Sequence, residues 1–170
     1  QPALMATGIA IVKAIEEISG KNISQIVSHS AGHSLGEYTA LVSAGSISIS
    51  DAAKLLRIRG EAMQNAVPVG LGSMVAILGV SIEDIEYFIG SVGNSEGLVE
   101  IANDNSPMQI VISGLKEDIL TSKDIFLSNN VKKFVELNVS AAFHSKFMLN
   151  AQLELSEKIE GLNFLENNIF

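Results

Sequence analysis

The sequence predicts an α/β fold, with a larger α/β part that is interrupted by a small α/β subdomain. Three observations predict this fold class. Segments with apolar residues at helical spacing alternate with short runs rich in β-branched residues. From about residue 74 onward, predicted strands follow one another more closely than in the first part of the chain. Hydrophobic residues make up 47% of the 170 residues, which is enough to bury a sizeable core.

The composition excludes several classes of function. The formal net charge is -8, with 19 acidic residues against 11 basic ones, whereas a nucleic-acid-binding domain carries a basic face. No long apolar run interrupts the chain, so no membrane span is expected. There is no cysteine, which rules out a disulfide scaffold and a zinc-thiolate site. No signal peptide is visible after Gln1, and we expect a cytoplasmic protein without a metal site.

The first 72 residues are predicted to hold three helices and one strand. Gly20 and Gly45 end two of the helices, because glycine readily adopts the left-handed conformation that follows a helix. Ser50 and Asp51 cap the third helix, and Pro68 stops it. The predicted elements are helices over 2–19, 37–44 and 52–67 and a strand over 23–30. The strand therefore leads straight into the turn before the second helix.

Residues 73–139 are predicted to form a small subdomain. A capping box at 81–84 opens its first helix, and the turn-forming run at 103–107 separates its second and third strands. Its predicted elements are strands over 74–80, 98–102, 109–113 and 133–139 and helices from 81 and over 116–127. This order, βαββαβ, is that of the ferredoxin-like split unit. The remaining residues, 143–170, are predicted to be mostly helical.

A nucleophile elbow is the strongest chemical signal in the sequence. Residues 32–36 read Gly-His-Ser-Leu-Gly, which matches G-x-S-x-G between a predicted strand and a predicted helix. In such a turn Ser34 takes a strained backbone conformation that exposes its Oγ. We expect Gly32 and Gly36 to remove side chains that would clash, and the first helical amides to be unpaired. The amide of Leu35 is then the first donor of an oxyanion hole.

Two histidines lie close to the elbow. His29 falls in the predicted strand, where Ser-His-Ser lacks the first glycine of an elbow, and we assign it a structural role. His33 is next to the nucleophile, but neighbouring side chains diverge in a sharp turn. We therefore expect His33 to support the loop, and a base for Ser34 must come from elsewhere in the chain.

The segment at 32–38 resembles the signature of malonyl-CoA:acyl carrier protein transacylases and of polyketide synthase acyltransferase domains. Arg59 follows Ser34 by 25 residues, where the family has a carboxylate-binding arginine. His144 follows Ser34 by 110 residues, where the family has its catalytic histidine. The run Asn-Asp-Asn-Ser-Pro-Met-Gln at 103–109 resembles a further family segment. The resemblance covers the whole chain, which corresponds to about the middle half of a family member.

The resemblance implies an α/β-hydrolase-like acyltransferase part, formed by residues 1–72 and 140–170. The ferredoxin-like subdomain at 73–139 is then an insert between the arginine and the histidine. The resemblance also implies segments before and after this chain, one of which supplies the second oxyanion donor. Since losing one such donor typically costs about 10²–10³ in rate, we expect this chain by itself to be weakly active or inactive.

The resemblance further implies a Ser-His dyad that transfers malonyl groups. Ser34 would attack the thioester, and His144 would take its proton, since a histidine titrates near neutral pH. Arg59 would hold the free malonyl carboxylate by two parallel hydrogen bonds. Leu35 and Phe143 are bulky, which in the family goes with malonyl and not with branched groups, although either could equally pack in a core.

The partners implied are malonyl-CoA and acyl carrier protein, whose phosphopantetheine thiol would receive the malonyl group in fatty acid biosynthesis. No cofactor is expected. An acidic carrier protein would need a local basic patch, and the candidates are Lys54, Arg57, Lys132, Lys133 and Lys146. Two alternatives stay open: a serine esterase or thioesterase of α/β-hydrolase type, whose histidine would need an acidic partner, and a non-catalytic truncated relative.

Overall fold

The computed structural model divides the chain into two compact units, which comprise Gln1–Glu61 with Glu154–Phe170 and Ala62–Leu153. The residues that the structure describes are 1–91, 99–139, 141–166 and Ile169. Helices occur in both units and an antiparallel sheet in the second, so the chain is an α/β protein as predicted. Among the described residues, none of the helices has the length and apolar character needed to cross a lipid bilayer.

Three helices build most of the first unit. They are α1 (Pro2–Ser19), α2 (Gly36–Ala44) and α3 (Ile49–Asn65), whose last turn belongs to the second unit. α1 and α2 end at Gly20 and Gly45 as predicted, with left-handed φ angles of 66° and 83°. The buried apolar residues at the centre of this unit are Met5, Ile9, Ile47, Ala52 and Leu56.

The predicted start and end of α3 are wrong by a few residues. The helix begins at Ile49 and ends at Asn65. Ser48 caps it, and not Ser50, because the Oγ of Ser48 accepts from the amide of Asp51 at 3.0 Å. Two serines at this spacing are equally good caps in the sequence, so the choice depends on where the chain enters the helix.

The strand predicted over 23–30 is wrong. A 3₁₀ turn occupies Ile23–Gln25 instead, and the described residues up to the elbow contain no strand. Asn22 opens the turn with a capping box, and Glu16 accepts from its first amide at 2.8 Å. A strand needs a neighbour for its hydrogen-bond ladder, and no described segment pairs with residues 26–31.

A four-stranded antiparallel sheet with two helices forms most of the second unit. Its strands are β1 (Gly72–Leu78), β2 (Val99–Ser106), β3 (Gln109–Leu115) and β4 (Lys133–Glu136). Their order across the sheet is β2-β3-β1-β4. α4 (Ile82–Ser91) follows β1, and α5 (Lys116–Ser128) follows β3. The elements therefore succeed one another as β, α, β, β, α, β.

One face of this sheet is buried under α4 and α5. Val75 and Ile77 of β1 point into the same cluster as Ile85 of α4, as the alternation along a strand requires. Phe88 and Phe126 meet edge to face at the centre, with ring centroids 5.7 Å apart. The predicted capping box is present, because the amide of Asp84 donates to the Oγ of Ser81 and the amide of Ser81 to the Asp84 carboxylate.

The turn predicted at 103–107 is wrong except at its last residue, since residues 103–106 belong to β2. Two register shifts, at 101–103 and 104–106, accommodate this run within the pairing of β2 with β3. The tight turn is confined to Pro107 and Met108. The predicted start of β2 at residue 98 lies outside the described residues.

Two other predicted boundaries also move. β1 begins and ends two residues earlier than predicted, and a left-handed Gly79 (φ 98°) follows it. β4 ends at Glu136 and not at 139, because the last pairing with β1 is the bond from the amide of Leu137 to the carbonyl of Met74. Strand ends are thus set by the partner strand.

The helical content predicted for 143–170 is present over part of that range. A 3₁₀ helix (Lys146–Met148) leads into α6 (Leu149–Glu160). Residues 161–166 are not helical, and residues 167, 168 and 170 lie outside the described residues. The domain boundaries predicted at 73 and 139 stay a prediction.

Candidate active site

Ser34 lies on a turn that holds its backbone in a left-handed conformation. Its φ angle is 54°, and the only other described non-glycine residues with positive φ are Asn130 and His144. This conformation is costly for a residue with a Cβ and persists where the surrounding structure enforces it. The strain predicted for Ser34 is therefore present, although no strand precedes the turn.

The turn requires glycine at Gly32 but not at Gly36. A Cβ on Gly32 would overlap the backbone carbonyl of Gly36 and the backbone nitrogen of Glu37. A Cβ on Gly36 would meet no heavy atom of the described residues within 4 Å. The predicted clash is thus present at the first glycine and absent at the second.

The first amides of α2 are paired, contrary to the prediction. The amides of Gly36, Glu37 and Tyr38 donate to the carbonyls three residues earlier, at 2.9, 3.1 and 3.2 Å. A turn of this 3₁₀ type uses the donors that the start of a helix otherwise leaves open. No backbone carbonyl of the described residues accepts from the amide of Leu35. Leu35 therefore remains the candidate oxyanion donor.

Arg59 is buried beside Ser34. The arginine is 9% exposed, and its Nη2 donates to the Oγ of Ser34 at 2.9 Å. Its Nη1 donates to the Oε1 of Gln1 at 2.6 Å. The guanidinium also lies over the ring of Tyr38, 5.7 Å from the centroid. The fold thus brings the predicted nucleophile, Ser34, into direct contact with Arg59, the arginine that is predicted to bind a carboxylate.

No carboxylate of the described residues forms an ion pair with Arg59. Its partners are an amide oxygen, a hydroxyl and an aromatic face, and none of these carries a negative charge. Buried charges are normally paired, since taking an ion out of water is expensive. The positive charge beside Ser34 is therefore suited to an anionic ligand.

Arg57 shows the contrast with Arg59. Its side chain is 74% exposed, and its Nε pairs with the Oε1 of Glu61 at 2.6 Å, one turn along α3. Two positions two residues apart point to roughly opposite sides of a helix, about 200° apart. The sequence pattern could not decide which arginine is buried, whereas the packing of α3 does.

Gln1 and Tyr38 are contacts of Arg59 that the sequence analysis missed. Tyr38 lies four residues after Ser34 in α2, and this spacing was an available signal. Gln1 is 58 residues from Arg59, and no local pattern predicts that contact. Burial raises the pKa of Tyr38 above its usual value, and the Arg59 charge opposes the shift. The phenol therefore stays neutral near pH 7 and leaves the arginine charge uncompensated.

Leu35 and Phe143 both pack against apolar clusters. Leu35 is half-buried against the cluster that contains Met5 and Leu56. Phe143 is half-buried against β1 and β3, in the cluster of Met74, Ala76 and Val111. Core packing accounts for these contacts, and the predicted role of both residues beside the acyl chain stays a prediction.

His144 belongs to the second unit and lies in the turn before α6. Its φ angle is 56°, and the residue is exposed. Buried Ala141 and Ala142 precede it, and the Oγ of Ser145 donates to the carbonyl of Ala142 at 2.7 Å. The turn therefore holds His144 in a left-handed conformation like that of Ser34. Its predicted pairing with Ser34 stays a prediction.

His29 and His33 are both exposed. The Nδ1 of His29 lies 2.9 Å from the Oγ of Ser28, next to it in the chain. The carbonyl of His33 accepts the turn bond from Gly36, so this residue contributes to the elbow through its backbone. Their predicted structural roles are compatible with these contacts.

The groups around Ser34 suit an anion and not a cation. The described residues contain no cluster of three His, Asp or Glu side chains that could hold a metal ion. The Nη2 of Arg59 donates to the Oγ of Ser34, and the amide of Leu35, the next residue in the turn, donates to no backbone carbonyl of the described residues. This combination of a hydroxyl and a cation can position a substrate that carries an electrophilic carbonyl and a negative charge.

The chain is similar to characterised acyltransferases over nearly its whole length. Residues 1–166 match the family described as acyl transferase domain. A malonyl CoA-acyl carrier protein transacylase of Bacillus subtilis (strain 168) is 40% identical over 169 residues, 99% of this chain and 52% of that protein. The protein of the same name from Staphylococcus aureus (strain COL) is 37% identical, over 94% of this chain and 49% of that protein.

Solved structures give the same result. The crystal structure of an acyl-carrier-protein-S-malonyltransferase from Bartonella henselae is similar with a TM-score of 0.92 and 44% identity, over 99% of this chain and 53% of that one. A complex of a type II polyketide synthase acyl-carrier protein with its malonyl-transacylase is similar with a TM-score of 0.91 and 38% identity, over 99% and 53%. The chain spans about half the length of these relatives. The resemblance predicted from the motifs is confirmed, and the chain belongs to the acyl transferase domain family.

Proposed function

We propose that Ser34 accepts a malonyl group from malonyl-CoA and passes it to the phosphopantetheine thiol of acyl carrier protein. The observation that carries this proposal is the buried guanidinium of Arg59, 2.9 Å from the Oγ of Ser34. A malonyl thioester offers an electrophilic carbonyl and a free carboxylate, the two groups that a hydroxyl and a cation would take. The names of the similar transacylases support the same choice.

In the first half-reaction, the Oγ of Ser34 attacks the thioester carbonyl, and its proton passes to the imidazole of His144. The amide of Leu35 donates to the oxyanion that forms. The carbon–sulfur bond then breaks, and His144 returns the proton to the departing thiolate. Coenzyme A leaves as a thiol, and a malonyl ester remains on Ser34.

In the second half-reaction, the carrier thiol gives its proton to His144 and attacks the ester carbonyl. The bond between the carbonyl carbon and the Oγ of Ser34 breaks, and His144 gives the proton back to that oxygen. The malonyl group has then moved from one thiol to another without a net proton change. A thioester is exchanged for a thioester, so no further co-reactant is needed.

The pairing of His144 with Ser34 is part of the proposal, since the two residues belong to different units. It is supported by the order of the family motifs and by the strained backbone of both residues, with φ of 54° and 56°. We propose a dyad, and a backbone carbonyl would orient the imidazole, as the resemblance implies.

Arg59 is proposed to determine the specificity for malonyl over acetyl groups. The planar guanidinium can donate two parallel hydrogen bonds to a malonyl carboxylate, and one of its nitrogens already reaches Ser34. An acetyl group would leave the buried charge unpaired, and sites of this kind can reject such an analogue by on the order of 10⁴. Leu35 and Phe143 would limit the space for a branched acyl group.

We also propose that the fold consists of an α/β-hydrolase-like part with an inserted ferredoxin-like subdomain. The succession βαββαβ and the strand order β2-β3-β1-β4 support a ferredoxin-like subdomain at 73–139. Residues 1–72 and 140–170 would then form the α/β-hydrolase-like part into which it is inserted. Docking of acyl carrier protein through the basic candidates and a cytoplasmic location are proposed on the resemblance alone.

Intact-mass analysis after exposure to malonyl-CoA tests the proposal. Because this chain by itself is expected to be weakly active at most, the exposure is long: the chain is expected to gain one malonyl group slowly, and Ser34→Ala is expected to gain none. Addition of acyl carrier protein is expected to remove the group from the chain and place it on the carrier. Circular dichroism of Ser34→Ala shows whether the variant is folded. A folded protein that gains no mass would contradict the proposal and favour a non-catalytic relative.

The same assay separates transfer from hydrolysis. An esterase or thioesterase would release free acid from malonyl and acetyl thioesters alike, with no requirement for a carrier thiol. A malonyltransferase is expected to keep the malonyl ester until the carrier arrives. Hydrolysis that is indifferent to the carboxylate would favour the esterase.

A further inference from the structure

The helix that follows His144 lacks an ordinary side-chain cap. Ser145 occupies the cap position of the 3₁₀ helix that leads into α6, but its Oγ donates to the carbonyl of Ala142. The first amide of this helix, that of Lys146, donates instead to the Oε2 of Glu100 at 2.6 Å. A carboxylate from β2 thus replaces the missing cap from a distance of 46 residues in the chain.

Within the described part of the chain, the hydrogen bond to the Lys146 amide does not compete with an ion pair of Glu100. The described residues contain no ion pair that involves Glu100. A carboxylate that accepts from an amide at a helix start is favoured by the helix dipole, and the bond is stronger than one between neutral groups. The bond therefore joins the turn around His144 to the sheet of the same unit.

A second contact holds the other side of this turn. A Cβ on Gly72, the first residue of β1, would overlap the amide nitrogen of Ala142. Only glycine allows β1 and the backbone before His144 to come this close. The turn at 141–146 is thus held at Ala142 by close packing and at Lys146 by the carboxylate of Glu100, with the strained His144 between the two.

We propose that Glu100 is a positioning residue for His144. It does not touch the reacting groups, but it holds the turn in which His144 takes a left-handed conformation of φ 56°. Residues in this conformation relax when the contacts that enforce it are removed. The role of Glu100 in acyl transfer rests on the proposed function, whereas its hold on the turn does not.

The test compares Glu100→Ala with Glu100→Gln and with Asp104→Ala. The glutamine amide oxygen can still accept from Lys146, so this variant keeps the cap without the charge. Asp104 is an exposed acidic residue of the same strand, and its removal controls for the loss of a carboxylate from β2. Amide hydrogen exchange at Lys146, followed by NMR, reports on the bond directly. The rate of Ser34 acylation by malonyl-CoA reports on its consequence.

Glu100→Ala is expected to speed the exchange of the Lys146 amide and to slow Ser34 acylation, each by on the order of tenfold or more. The KM for malonyl-CoA is expected to stay unchanged, because the contacts of Arg59 lie in the other unit. Glu100→Gln and Asp104→Ala are expected to stay within about threefold of the wild type in both measurements.

Unchanged exchange at Lys146 in Glu100→Ala would overturn the proposal. So would faster exchange with an unchanged acylation rate, because the bond would then not position His144. If the wild-type protein forms no malonyl ester even after long exposure to malonyl-CoA, the proposed function fails for this chain, and the exchange measurement still decides whether Glu100 holds the turn.

Discussion

Arg59 carries a positive charge where an arginine would ordinarily have a carboxylate partner. Its Nη1 and Nη2 donate to Gln1 and Ser34, and the ring of Tyr38 covers one face of the guanidinium. These neutral contacts fix the guanidinium without cancelling its charge. At the scale of single residues, we propose that this charge makes the site selective, because an anionic substrate would neutralise it.

Replacing Arg59 should therefore change the choice of substrate more than the chemistry. We expect Arg59→Ala to lower Ser34 acylation by malonyl-CoA by on the order of 10²-fold or more, since truncating one partner of a buried charge pair costs several kcal/mol. Acylation by acetyl-CoA is expected not to fall. Arg57→Ala removes an exposed arginine from the same helix and should alter neither rate. A parallel loss for both thioesters in Arg59→Ala would mean that the arginine serves the fold or the nucleophile alone.

Gln1 offers a sharper substitution, because glutamate has almost the same shape. Gln1→Glu places a carboxylate beside Arg59, where it would compete with malonyl, and we expect acylation to fall by on the order of tenfold or more at low malonyl-CoA. Gln1→Ala loses only one hydrogen bond and should fall by a few-fold. Gln152→Glu makes the same change on the exposed side of α6 and should have no effect. Acylation rates measured across malonyl-CoA concentrations test whether Gln1→Glu loses more activity than Gln1→Ala and Gln152→Glu loses none. A Gln1→Glu variant as active as the wild type would contradict the prediction.

Among the elements, the elbow depends on its first glycine. α2 begins with three turn bonds whose carbonyls belong to residues 33–35, so the chain must pass very close to itself at Gly32. The strain at Ser34 is balanced by these bonds and by the contact with Arg59. The elbow is thus held by its own backbone, without a strand in front of it among the described residues.

The two glycines of the elbow are expected to respond oppositely to alanine. Gly32→Ala forces a Cβ into the backbone and should cost about 2–3 kcal/mol or prevent folding. Gly36→Ala finds open space at the start of α2 and, because alanine favours a helix over glycine, should be neutral or stabilising by up to about 1 kcal/mol. Urea unfolding of both variants tests this. Equal destabilisation by the two alanines would show that the turn is not organised as described.

Glu16 links α1 to the 3₁₀ turn that follows it. Its Oε2 accepts from Lys13 at 2.7 Å and its Oε1 from the amide of Ile23 at 2.8 Å. The hydrogen bond from Lys13, followed by that from Ile23, lowers the pKa of Glu16 below its usual value. A lowered pKa in the folded state means stability that is present above the usual pKa and is lost as pH falls through the lowered one.

The acid sensitivity of the fold should therefore shrink when this carboxylate is removed. We expect Glu16→Gln to lose less stability than the wild type between neutral pH and pH values below the usual pKa of glutamate. Glu17→Gln changes the neighbouring exposed glutamate, and its pH dependence should follow the wild type. Urea unfolding at both pH values provides the comparison. A Glu16→Gln variant with the full wild-type pH dependence would contradict the assignment.

For the whole molecule, short sequence patterns correctly predicted those elements whose hydrogen bonds form between residues close together in the chain. The helices ending at Gly20 and Gly45 and the capping box at Ser81 close within a few residues, so their sequences suffice. The strand predicted over 23–30 and the ends of β2 and β4 depend on partners elsewhere in the chain. A β-branched run such as Ile23 to Val27 does not reveal whether a neighbour is present.

The residues of the candidate site were likewise predictable only where a local sequence pattern determines their position. Ser34 follows from its motif, and its strained φ is what the motif requires. Arg59 was chosen over Arg57 only through the family resemblance, because helical spacing leaves both possible. Gln1 could not be predicted, since its contact with Arg59 depends on how the start of α1 meets α3. Gly36 was assigned a steric need that the turn does not have.

The central claim is that Ser34, His144 and Arg59 act together on one malonyl group. A crystal structure of the protein after exposure to malonyl-CoA tests it most directly. We expect a malonyl ester on the Oγ of Ser34, its carboxylate within about 3 Å of the Arg59 nitrogens, and the His144 imidazole within about the same distance of the ester oxygen. A carboxylate bound away from Arg59, or an imidazole out of reach of Ser34, would contradict the account.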